Sequence, residues 1–298
     1  MKQKYNKICW RIGQEITPDT FIHADNYICS QHNLIRRLIA GKYHGLLPLG
    51  EADFIAKATL NNRDFHLEQL SCYGTTEAGY LVSFNNSLLA SLPKNRLSIP
   101  DSEADVFYVV LHINPFEQVL IEPVNNEETP EAHLVYELTI KELNQIETDE
   151  LAIIKINNSS HTPMIDNDYI PPCMSVNACT QIHNVFNSAK TLFAEIRSII
   201  VNKDYQFEKL MYPLTLLHHE LDEFSEYESP IALVKFIKKI MITCQFFIPD
   251  IQKVVRPALL GEYCHNDVAI IFKSLLSCLH EIKMIVGKVE EEDFTPQI

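Results

Sequence analysis

Glycine is scarce in this chain, with 8 residues in 298. Loops that cradle phosphate groups on bare backbone N–H donors need glycines in clusters, so a nucleotide site of that kind is nearly excluded by supply. Gly41 and Lys42 stand together, but with neither the upstream glycine nor the following Ser or Thr of a phosphate loop. No G-x-S-x-G elbow and no H-E-x-x-H helix occurs. No uncharged apolar run approaches the ~20 residues that cross a bilayer, and Met1 to Ile16 holds no apolar stretch of signal-peptide type. Basic residues are outnumbered, 25 against 39 acidic ones for a net charge of −14, which argues against a generic nucleic-acid binder. None of the eight cysteines forms a C-x-x-C pair, and most sit inside apolar patterns where a free thiol behaves as a small hydrophobe. A reducing cytoplasm is the expected setting, and the Asn-x-Ser matches at Asn157 and Asn158 then carry no glycosylation meaning.

What is present is an ordinary globular composition, 46% apolar, in a length that suggests about two domains. The charge is unevenly spread. Residues 1–50 hold seven basic groups (among them Lys7, Arg11, Arg36 and Arg37) against Glu15, Asp19 and Asp25, a net of +4. Residues 101–150 hold thirteen acids against Lys141 alone, a net of −12. Such opposite faces suit steered docking onto a partner or a second copy, or are simply two solvated surfaces.

From about residue 50 to 156 the chain reads as strands. Phe107, Val109, Leu111 and Ile113 share one face, with Val106, Tyr108, Val110 and His112 on the other. Leu134, Tyr136, Leu138 and Ile140 alternate with Val135, Glu137 and Thr139, and Phe65 and Leu67 with His66 and Glu68. Turn clusters at 61–62, 74–75, 85–86 and 125–126 break these runs, which predicts an antiparallel sandwich or barrel. Helical patterns do not alternate with the strands, so a doubly wound fold is not expected. Pro171 and Pro172 then force extended backbone.

After the prolines the period changes. Ala178, Ile182, Val185, Ala189, Leu192, Ile196 and Ile199 follow a heptad seam, widened by Phe186, Phe193 and Ile200. Leu210, Met211, Leu214, Leu217 and Leu221 form a second stripe, in which Pro213 predicts a start near Tyr212 or a kink. Ser229 and Pro230 read as a capping hydroxyl and a first-turn proline. Leu233, Ile237, Ile240, Cys244 and Phe247 follow, closed by Pro249. A fourth stripe runs Val268, Phe272, Leu275, Leu279, Ile282 and Val286, with Asn266 or Asp267 as cap. The expected fold is therefore α+β: an antiparallel β-sandwich over 1–172, an antiparallel four-helix bundle over 173–289, and an acidic tail over 290–298.

Catalytic chemistry has little to stand on. His218, His219 and Glu220, with His265 and Asp267 later, are ligand types without ligand spacing. His219 and Glu223, at i and i+4, point to one side, but a His–Glu pair on an exposed bundle face is commonly structural. Cys173 beside Pro172 reads as a packed thiol more readily than as a nucleophile, which would need an activating base. Trp10, the single tryptophan, is either a binding platform or a core anchor. No enzyme activity, cofactor or metal site is expected.

One resemblance covers most of the chain. Trp10 with Gly13, Pro18 with Phe21, and Asp25 with Tyr27 are similar to the W-x-x-G, P-x-H-F and Q-Q-x-D motifs that open the type VI secretion baseplate subunit TssK. Tyr169 to Cys173 resembles that family's Y-x-P-P-C junction, and the likeness extends over roughly residues 7–287. Thr20 stands where the family has histidine, and Ile22-His23 where it has Gln-Gln. The resemblance implies a structural trimer whose shoulder binds the wedge subunits TssF and TssG, in the cytoplasm at the inner face of the envelope, with no nucleic acid and no membrane insertion. It places the wedge contact on Trp10, Arg11, Gly13, Pro18, Phe21 and Asp25. Family members continue into a C-terminal head that docks on the membrane complex. The chain stops after the fourth helix, so an indirect or altered contact with that complex is expected. A phage-like receptor-binding or tail adaptor and a metal-dependent hydrolase using His219, Glu223 and His265 are the competing expectations. A self-contained signalling scaffold is the bland remainder.

Overall fold

The computed structural model describes residues 6–13, 15–40, 43–48, 54–121, 131–159, 162–248, 251 and 263–288. The turn expected at 125–126, Gly41 and Lys42, Pro249 and the acidic tail lie outside the described residues. The chain divides into two compact units, 1–172 and 173–298.

The first unit opens with a helix, α1 (Pro18–Ala40), and continues in strands β1 (Gly45–Leu46), β2 (Ile55–Asn61), β3 (Asp64–Thr75), β4 (Leu81–Phe84), β5 (Arg96–Ser98), β6 (Val106–Ile121), β7 (Glu131–Lys141), β8 (Glu150–Asn157) and β9 (Met164–Ile165). In one sheet β3 is the hub, pairing with β1, β2, β4 and β5, and the other sheet runs β7-β6-β8-β9. Every pairing is antiparallel. The alternation read at Phe65 and Leu67 holds, since both are fully buried while Glu68 is exposed. β2 and β3 form a hairpin in which Asn62 takes φ 56, a conformation asparagine reaches more cheaply than most residues. On β6 both faces are buried. Phe107, Val109, Leu111 and Ile113 lie on one, and Tyr108 and Val110 on the other pack with Ala152 and Tyr169. A central strand covered on both sides accounts for its unbroken apolar run. The β6–β7 register slips between Asn114 and Gln118, around Pro115, which has no N–H to give the ladder.

Tyr136 joins the two sheets. Its hydroxyl donates to Ser83 O and accepts from Ser83 N, each at 3.0 Å, and its ring meets Phe84 edge-on at 5.2 Å. The turn expected at 74–75 is corrected: both residues lie within β3, where Gly74 pairs with Leu46 and with Val82. A Cβ at Gly74 would stand 2.7 Å from Gly45 O, so this glycine permits close approach of backbones rather than a reversal.

The second unit is four helices, α2 (Thr180–Asn202), α3 (Asp204–Asp222), α4 (Pro230–Phe247) and α5 (Ala269–Lys288). Each packs on its neighbours in sequence, and α2 closes against α5. The seam on α2 is turned from its expected centre. Ile182, Phe186, Ala189, Phe193, Ile196 and Ile200 are buried, whereas Val185, Leu192 and Ile199 are half-buried at its edge. The cause is an aromatic core between α2, α3 and α4: Phe186 stacks on Phe224 at 5.6 Å, Phe224 lies 6.0 Å from Phe236, and Phe236 meets Phe193 edge-on at 6.4 Å. α3 runs through Pro213 instead of starting at Tyr212. Ser229 precedes α4 with Pro230 in the first turn, but its hydroxyl makes no capping bond; its carbonyl accepts from Ala232 N and Leu233 N. Among the described residues no helix is long and apolar enough to cross a membrane.

Candidate functional site

The six residues singled out at the N-terminus are at the surface. Trp10 is 53% exposed and Phe21 58%, which decides against Trp10 as a core anchor. Arg11, Gly13, Pro18 and Asp25 are exposed as well. Gly13 has φ +80 and open space around it. Trp10, Arg11 and Gly13 precede the helix, whereas Pro18, Phe21 and Asp25 share the first two turns of α1. Phe21 and Asp25 are neighbours at i and i+4.

The start of α1 explains Thr20. Thr17 N donates to Thr20 Oγ1 (3.3 Å), Thr20 N donates to Thr17 Oγ1 (3.4 Å), and the two hydroxyls are 3.0 Å apart. This reciprocal pair satisfies backbone donors the helix leaves orphaned, and Pro18 in the first turn has no N–H to lose. Thr20 therefore serves the helix start.

Sequence reasoning missed α1 itself and its outer face. Phe21, Ile28 and Ile35 recur every seventh residue and are all exposed, joined on that side by Leu38 and Ile39, while Ile22 and Leu34 are exposed off this stripe. The inward side is polar. Asn33 is buried, its Oδ1 accepts from Arg36 Nη1 at 3.0 Å, and the same nitrogen donates to Gly79 O at 3.3 Å. Gly79 has φ +87, and a Cβ there would lie 2.5 Å from Asn33 O, so α1 rests directly on this turn. A helix tied down by its polar side, with its apolar side in water, is built to be covered. Beside it a cavity of 270 Å³ opens between α1, β4, β6 and β7.

The metal and nucleophile candidates have other roles. His218 Nε2 lies 3.6 Å from Asp222 Oδ2 within one helix, and His265 Nδ1 is 2.8 Å from Tyr263 OH. Glu223 ends α3, its N–H donating to His219 O. Among the described residues no three His, Cys, Asp or Glu groups stand together to hold a metal. Cys173 is fully buried with its Sγ 3.8 Å from Cys179 Sγ, and burial pushes the thiol well above the ordinary range, away from the thiolate a nucleophile needs. Part of the acidic excess is structural: Glu150, 3% exposed, accepts from Lys141 Nζ at 2.6 Å and from Glu147 N at 2.8 Å.

A two-sheet sandwich led by a docked helix and followed by a four-helix bundle is the fold of a subunit of the type VI secretion baseplate. The likeness is to TssK. A chain of the cryo-electron microscopy structure of the TssK–TssF–TssG baseplate subcomplex matches with a TM-score of 0.64 at 14% identity, over 94% of this chain and 100% of that one. A crystal structure of TssK matches at 0.59 and 13% identity, over 94% and 72% of the two chains. TssK from EAEC in complex with a nanobody matches at 0.55 and 13%, over 87% and 67%. At these identities the likeness is one of fold. No protein-family model and no curated protein matches the sequence.

Proposed function

We propose that this protein is a TssK-like structural subunit of a type VI secretion baseplate. In this reading it works in the cytoplasm as a trimer, grips the TssF and TssG wedge subunits through its N-terminal segment and α1, and links them to the membrane-associated complex. The observation that carries the reading is the outward apolar face of α1, on a fold shared over 94% of the chain with a member of a TssK–TssF–TssG assembly. The basic N-terminal charge adds steering toward an acidic partner.

The test is capture of TssF and TssG from the same genome by the tagged full chain. Trp10→Ala with Phe21→Ala abolishes capture while light scattering still reports the trimer. Each side chain is half out of water, so the fold loses little and an interface anchor of this type is worth ~2 kcal/mol or more. Retained capture would refute the assignment of this face.

The α5 seam and the buried face of α2 are taken up within the bundle, so we place the trimer contact on another surface. Lys239 pairs with Glu220 across α3 and α4. One and two turns beyond that pair, Leu216 and Tyr212 of α3 line up with Ile242 and Phe246 of α4, all four exposed. Phe246→Glu therefore converts the trimer to monomers in light scattering, at a cost of ~2 kcal/mol or more per contact, with an unchanged far-UV circular dichroism spectrum because Phe246 is 78% exposed in the single chain.

A further inference from the structure

We infer that the cavity beside α1 is an anchor pocket for an aromatic side chain flanked by carboxylates, presented by a partner polypeptide. The inference rests on the reading of α1 as a partner-binding face and specifies what that partner must present. Leu81, Ile113, Leu134 and Tyr136 supply the apolar walls, in a volume of 270 Å³ that accommodates an indole or phenol ring. The mouth has the opposite character. α1 contributes His32 and Arg36, four residues apart on one helix face, and β7 contributes His133. His32 and Arg36 present N–H donors, the histidine even when neutral, and among the described residues no carboxylate lines the cavity.

Arg36 is held in place before any ligand arrives. Both of its bonds to α1 and to the turn, to Asn33 Oδ1 and Gly79 O, run from the single nitrogen Nη1. Buried Asn33 thereby fixes the direction of the guanidinium plane at the rim of the cavity. A planar cation so oriented suits a carboxylate, and the apolar walls suit a ring beside it. The neighbouring ridge decides between a free aromatic acid and a chain. Ile28 and Ile35 lie exposed on the same helix, one residue before Cys29 and Arg36 of the pocket lining. Only a polypeptide that continues past the pocket covers that ridge as well as the cavity.

The experiment uses the full chain and a tripeptide, blocked at both ends, of fluorotryptophan between two glutamates, followed by fluorine NMR. The peptide resonance broadens and shifts on titration, and the same peptide slows maleimide labelling of Cys29, which is exposed at the mouth. His32→Glu, at an exposed position, and Leu81→Trp, which fills the cavity, each weaken binding by about tenfold or more. Should Leu81→Trp not fold, His32→Glu carries the test alone. Equal binding of the variants, equal binding of the peptide with lysines in place of glutamates, or free indole acetate binding as tightly as the peptide would each overturn the inference. If the peptide fails but Phe21→Ala still abolishes TssF and TssG capture, only the pocket falls. If the peptide binds as expected while capture ignores α1, the pocket stands and the wedge reading falls.

Discussion

Between pH 9 and pH 12 both units are expected to lose most of their stability. In the bundle, burial pushes the Cys244 thiol from an ordinary 9 to about 12, and Cys173 is raised well above 9 by burial and by the adjacent Cys179. In the sandwich unit, burial lifts Cys72 from 9 to about 12 against a lowering backbone bond from Phe84, and Tyr136 from 10 to about 12 against one from Ser83. The sign follows from where the protons sit. The unfolded chain ionises its thiols near 9 and its phenols near 10, whereas the folded chain must keep these groups protonated to about 12. Their contribution is therefore complete below pH 9 and lost as pH rises through the folded values. A thiol raised from 9 to about 12, as at Cys72 or Cys244, corresponds to about 4 kcal/mol, and a phenol raised from 10 to about 12, as at Tyr136, to about 3 kcal/mol. A domain holds only ~5–15 kcal/mol in all. Far-UV circular dichroism against pH should show unfolding well before pH 12. Cys72→Val with Cys244→Val should move that limb to higher pH, because valine fills similar space and has no proton to lose. An alkaline limb indifferent to both substitutions would contradict the burial of these thiols.

Much of the fold was legible from residue pattern because burial enforces it. Phe65 and Leu67 alternate with His66 and Glu68 since only one side of β3 can face the other sheet. The stripe from Phe272 to Val286 repeats every 3 or 4 residues since one side of α5 faces the bundle. α1 escaped because Ile22 and Leu34 blur its apolar stripe, and its orientation escaped because Asn33 and Arg36 face inward while Ile28, Ile35 and Leu38 face water. Hydrophobic periodicity finds a helix but says nothing of which side is already occupied. Gly74 misled for a different reason. A glycine that admits a neighbouring strand and a glycine that turns the chain look alike in sequence. Of the proposed site, the sequence singled out Trp10 and Phe21 through short motifs, and the structure shows them exposed, whereas the cavity was not visible. Its walls come from segments around residues 29–36, 80–83, 113–115 and 133–136, which only the two sheets and α1 bring together.

Gly79→Ala should release α1 from the sandwich and with it the partner contact. Two independent costs meet at this position. A φ of +87 is strained for any residue with a Cβ, by ~1–2 kcal/mol. The added carbon would also stand 2.5 Å from Asn33 O, a backbone atom that cannot swing aside as a flexible side chain would. Relief requires helix and turn to part, which breaks the bond from Arg36 Nη1 to Gly79 O and frees the guanidinium that Asn33 had aimed. Hydrogen exchange should then accelerate across residues 18–40 and remain slow in β6 and β8, whose ladder does not involve α1. Capture of TssF and TssG should fall as far as with Phe21→Ala, although Phe21 itself is untouched. Gly13→Ala separates the two costs. Gly13 has a similar φ of +80 but nothing within 4 Å of the new carbon, so the strain is paid without a collision. That variant should keep α1 docked and its amides protected. If both glycine variants loosen α1 equally, the collision with Asn33 is not what holds the helix in register, and the anchoring must be sought along the rest of its inner face.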